Sequence, residues 1–71
     1  MQTVIIKLDP KRVHKNAFYF SSIQKVIIKN LEFDDYFDMR IFDQKIEIFS
    51  SNEALINMLN ELMKKAEDED D

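Results

Sequence analysis

Apolar and polar residues alternate over residues 3–8, where Val4, Ile6 and Leu8 interleave with Thr3, Ile5 and Lys7. Successive strand side chains point to opposite faces, so this β-branched stretch predicts a strand with one buried face. Asp9 and Pro10 end it, because proline has no N–H to give to a ladder. Residues 11–16 read as a basic polar loop.

Residues 17–31 carry two patterns at once. Phe18, Tyr19 and Phe20 suit a strand or a packed loop. Ser21 followed by Gln24 fits a capping box, in which two side chains satisfy orphan backbone donors reciprocally. Ile23, Val26 and Ile27 then share one helical face, and Asn30 suits a left-handed position just past the helix end. The β-branched run Val26, Ile27 and Ile28 argues for strand instead. Helix is the favoured reading of residues 22–30, with strand as the alternative.

Residues 36–49 read as a hairpin. With Asp43 and Gln44 as a two-residue turn, Phe42 pairs with Lys45, Ile41 with Ile46, Arg40 with Glu47 and Met39 with Ile48; a longer loop with a shifted register is the alternative, since Asp-Gln is not a preferred turn pair. One face is then apolar and the other carries opposite charges across the strands. From Ser50 to about residue 66 the period changes. Ser50 and Glu53 form a second capping-box pattern, and Leu55, Ile56, Met58, Leu59, Leu62, Met63 and Ala66 make an apolar stripe at helical spacing.

The order strand, helix, strand, strand, helix predicts a small α+β domain over residues 1–66, a β-α-β-β-α unit. Its compact form is a three-stranded sheet with two helices on one face. The order is similar to that of a shortened ferredoxin-like domain, an architecture that hosts many unrelated functions. Residues 67–71 are all acidic. Negative charge there opposes the helix macrodipole, so a frayed tail is expected.

Composition narrows the function classes. Hydrophobic residues make up 45% of the chain, too many for wholesale disorder. There is no cysteine, hence no disulfide, thiolate nucleophile or thiolate metal site. There is no glycine either, which excludes phosphate-cradling loops and dinucleotide-binding turns. Any left-handed backbone position falls to Asn or Asp. The apolar runs are too short to span a bilayer and no secretory signal is visible, so the expected location is cytoplasmic. Charge is uneven. Residues 1–30 hold six basic residues against Asp9 alone, whereas residues 31–71 hold thirteen acidic and four basic ones.

Candidate chemistry is sparse. His14, the single histidine, sits among Lys11, Arg12 and Lys15 and reads as a surface residue. Asp34, Asp35 and Asp38 are spaced unlike any calcium loop and read as solvated or strand-capping. Met58 and Met63 lie on the helical stripe and read as core rather than an adaptable binding surface. No catalytic, cofactor-binding or metal-binding residue is assigned. With Val4, Ile6, Met39, Ile41, Ile46 and Ile48 facing the helices, alternation sends Ile5, Tyr36, Phe42 and Phe49 outward with Lys7, Arg40, Lys45 and Glu47. Aromatic and isoleucine side chains ringed by charge have the composition of a protein contact. The expected function is therefore non-catalytic binding of another protein, or of a second copy, through Ile5, Tyr36, Arg40, Phe42 and Phe49, with the acidic half steering the partner. The alternative is a nucleic-acid-binding module using Lys7, Lys11, Arg12 and Lys15 beside the aromatics of residues 18–20.

Overall fold

A computed structural model describes residues 1–68. The chain forms β1 (Gln2–Lys7), α1 (Val13–Asn30), β2 (Phe37–Ile41), β3 (Lys45–Ser50) and α2 (Glu53–Asp68). The strands make one sheet in the order β1-β3-β2, with β3 antiparallel to both neighbours. β1 and β2 therefore run parallel with β3 between them, a split β-α-β arrangement. α2 extends two residues into the acidic run, and the remainder of the expected tail, 69–71, lies outside the described residues.

The hairpin has the expected register. Met39 pairs with Ile48, Arg40 with Glu47 and Ile41 with Ile46, and the Phe42 amide donates to the Lys45 carbonyl at 2.8 Å. Asp43 and Gln44 make the connection, and the Leu8 amide donates to the Gln44 carbonyl, tying β1 to the turn. No described residue has positive φ. A chain without glycine makes its turns and helix ends without left-handed backbone.

α1 begins well before the expected point. Residues 11–16 are not a loop throughout: Val13 already opens a helix of 18 residues that absorbs Phe18, Tyr19 and Phe20. Ser21 is thus a mid-helix residue and its capping box does not form. Asp9 and Pro10 begin a tight turn in which the Arg12 amide donates to the Asp9 carbonyl at 2.9 Å. Asp at the first position and Pro at the second suit such a turn. Asn16 then clasps Asp9, donating through Nδ2 to its carbonyl and accepting from its amide. The helix ends on an extended Leu31, φ −74° and ψ 127°, whose amide donates to the Ile27 carbonyl. Asn30 is not a left-handed cap; its Nδ2 donates back to the Val26 carbonyl.

Packing explains why helix wins over residues 17–30. Tyr19 and Ile23 are buried in the common core, and Val26 and Ile27 pack against it. Burying a side chain of this size contributes about 1.5–3 kcal/mol. The helix-propensity penalty of a β-branched residue is at most about 0.7 kcal/mol.

α2 starts later than the Ser50 pattern suggests. Ser50 ends β3 and is fully buried, donating to the Tyr36 carbonyl and accepting from the Asn52 amide. The cap is Asn52, whose Oδ1 accepts from the Leu55 amide at 3.0 Å. Leu55, Ile56 and Leu59 are buried, while Met58 points outward and is not core. The core is completed by Val4, Ile6, Ile46, Ile48 and Ala66.

One expected core face is only half made. Met39 and Ile41 lie on the helix side of the sheet by register, yet are 38% and 56% exposed, against zero for Ile46 and Ile48. α2 packs on β1 and β3, and α1 packs on α2. β2, at the sheet edge, is left under-covered.

Candidate functional site

The outer face of the sheet is a grid set by strand register. Lys7, Lys45 and Phe42 form the row at the hairpin end. Ile5, Glu47 and Arg40 form the middle row, and Thr3, Phe49 and Asp38 the third. Tyr36 lies just beyond β2, its amide donating to Ser51 Oγ and its carbonyl held by Ser50. Alternation in three strands thus brings Ile5, Arg40, Phe42 and Phe49 to one surface, with Tyr36 at its margin.

The side chains on this face are organised in pairs. The Arg40 guanidinium stands over the Phe49 ring at 5.5 Å, and the Lys45 ammonium over the Phe42 ring at 5.3 Å. Each exposed contact of this kind is worth about 0.5–1 kcal/mol. Lys45 also reaches Glu47, Nζ to Oε2 at 3.0 Å. Arg40 turns to Asp38 on its own strand, Nε to Oδ2 at 3.1 Å, rather than to the facing Glu47.

The two aromatic rings do not share one patch. The rows of Phe42 and Phe49 are four residue rises apart along β3, roughly 13 Å at the rise of a strand. Phe49 is half-buried beneath Arg40, whereas Ile5 and Phe42 are each 47% exposed. A shallow depression at the hairpin end is lined by Ile5, Lys7, Leu8, Phe42, Gln44 and Lys45. Leu8 and Gln44 are lining residues that alternation alone does not reveal, because they meet where the β1–β3 ladder runs on past Lys7 and Lys45 through the Leu8–Gln44 hydrogen bond.

The basic residues and their neighbouring aromatics lie at the start of α1, from the turn before it through its first turns. Arg12 Nε lies 3.5 Å from Asp9 Oδ2, and Lys15 stands 6.0 Å over Tyr19, which is buried. Phe18 and Phe20 are partly exposed. His14 is exposed. Asp35 Oδ2 is occupied by the Glu32 amide and by Asn52 Nδ2, at 2.8 Å each, and Asp38 by Arg40. Among the described residues, no three His, Cys, Asp or Glu side chains are grouped to hold a metal. No described helix is long and apolar enough to cross a membrane.

A second apolar surface was not anticipated from the sequence. Phe20, Ile23, Gln24, Ile27 and Ile28 of α1 and Met39 of β2 line a groove on the helix side of the sheet edge. Its signal in the sequence is Ile28, which falls off the Tyr19–Ile23–Ile27 stripe of a helix and so has no core to enter. No family model, curated protein or solved structure matches the chain.

Proposed function

We propose that this protein is a non-catalytic binding module that captures another protein on the outer face of its sheet. The observation that carries the reading is the depression at the hairpin end, where Ile5 and Phe42 lie half-exposed beside Lys7 and Lys45. Apolar side chains within a charged rim provide an interface core that excludes water. Arg40 and Phe49 extend that surface, already held in place by their own stacking, and Tyr36 marks its margin. Held side chains lose less entropy on binding. The uneven charge of the chain supplies steering rather than affinity.

The test is capture of partners from the source cell extract by immobilised wild-type protein and by an Ile5→Ser, Phe42→Ser variant. The variant is expected to keep its far-ultraviolet circular dichroism and thermal transition and to lose at least tenfold in affinity for any partner identified. Undiminished capture by the folded variant would sink the reading. Salt-sensitive binding of an oligonucleotide, weakened by Lys11→Ala with Lys15→Ala, would replace it with nucleic-acid binding.

A further inference from the structure

Among the described residues β2 is an edge strand with its outer side unpaired, and its residues are self-complementary. The Phe42 amide points to β3, donating to the Lys45 carbonyl, so alternation turns the amides and carbonyls of Phe37, Met39 and Ile41 to the open edge. The strand contains no proline and no lysine, two of the devices that protect exposed edges, and its register with β3 runs unbroken from Phe37 to Ile41. On the helix side, Met39 and Ile41 are both exposed, and Met39 lines a groove with Phe20 and Ile28. The opposite edge is different: Val4 and Ile6 of β1 are already buried under α2, leaving nothing apolar there on the helix side.

We propose that two copies of this chain pair antiparallel through β2, joining their sheets into one of six strands with the two-fold axis at Met39. Keeping both helix layers on one side requires helix-side residues to face helix-side residues across the axis. Centring on Asp38 sets Asp38 against itself, and centring on Arg40 sets Arg40 against itself. Centring on Phe37 or Ile41 pairs only the strand ends. Centring on Met39 alone sets Asp38 opposite Arg40 of the second copy, twice, with Phe37 opposite Ile41. It also places the outward amides and carbonyls of Phe37, Met39 and Ile41 in hydrogen-bonded positions, and the charged pairs in the closer, non-hydrogen-bonded ones. Met39 and Ile41 then gain apolar neighbours beside α1 that the single chain does not provide. This self-association goes beyond the outer-face reading and does not depend on Ile5 or Phe42.

Charge reversal tests the register. Sedimentation equilibrium of the wild type is expected to give twice the 8.5 kDa chain mass. Asp38→Arg makes the outer side of β2 doubly positive and Arg40→Asp makes it doubly negative, so each variant alone is expected to sediment as a monomer with an unchanged circular dichroism spectrum. Mixed in equal amounts they are expected to form a one-to-one dimer, because the two strands are then complementary, and that recovery also shows that both variants fold. A wild type that stays monomeric at every concentration to its solubility limit overturns the proposal. So do single variants that remain dimeric, or a mixture that remains monomeric. The Ile5→Ser, Phe42→Ser variant is expected to stay dimeric; its dissociation would move the self-contact to the outer face and overturn edge pairing, whatever becomes of partner capture.

Discussion

The side-chain amide of Asn52 donates to the main-chain carbonyl of Asn30 at 2.9 Å, fastening the start of α2 to the end of α1. The same nitrogen donates to Asp35 Oδ2 at 2.8 Å, and the Asn52 oxygen caps α2 through the Leu55 amide. Asp35 in turn accepts from the Glu32 amide. One side chain thus joins both helices to the segment that leads into β2.

Asn52→Ala removes the cap and leaves the Asn30 carbonyl and the Asp35 carboxylate short of a donor. It should lower the free energy of unfolding by about 2 kcal/mol. Asn52→Ser keeps an oxygen for the cap and loses the two long-range bonds, so about half that loss is expected. Equal urea midpoints for Asn52→Ser and wild type would show that the long-range bonds contribute nothing.

Ile46 and Ile41 are directly opposed in the hairpin but differ in burial. Ile46→Asp puts an unpaired charge in the centre of the core and should cost on the order of 3 kcal/mol or more. Ile41→Asp leaves its charge in reach of water and should cost under about 1 kcal/mol in the monomer. Urea melts at dilute concentration measure both. Comparable losses would mean that β2 is covered.

α1 has no acidic residue in its first turn, and the residue at its cap, Arg12, makes no capping side-chain hydrogen bond. Its contact with Asp9 is exposed and contributes little. Arg12→Ser supplies a capping oxygen and should raise stability by about 0.5–1 kcal/mol. Thermal denaturation of the two proteins, side by side, decides it; a lower transition for Arg12→Ser would show that the contacts of the arginine outweigh a cap.

Ala66 is the last described side chain in the core. Every residue after it is acidic. Removing residues 67–71 should leave the fold intact and raise the thermal transition slightly at low salt, since the charges oppose the dipole of α2. The gain should vanish in high salt. A truncated protein that no longer folds would assign those carboxylates a stabilising contact.

The sequence by itself determined what depends on neighbours along the chain. Period-two alternation with a two-residue turn places Ile41 against Ile46 and Met39 against Ile48, because slipping by one residue would expose the whole apolar set. The long stripe from Leu55 to Ala66 can satisfy itself only as a helix against a core. The outer grid of Ile5, Arg40, Phe42 and Phe49 follows from the same alternation. Tertiary structure decided what depends on distant partners. Residues 13–20 are helical because Tyr19 finds a core, and local preference for these aromatic residues is too weak to choose. Asn52 took the cap from Ser50 because Ser50 was drawn into the end of β3 and buried. Which strand became central was likewise a long-range outcome. With β3 in the middle and α2 over β1, Ile46 and Ile48 vanished from water while Met39 and Ile41, their partners across the hairpin, stayed at an open edge. Pairing register is a local property of the hairpin, but burial requires a second layer, and its position is set by residues far away in the chain.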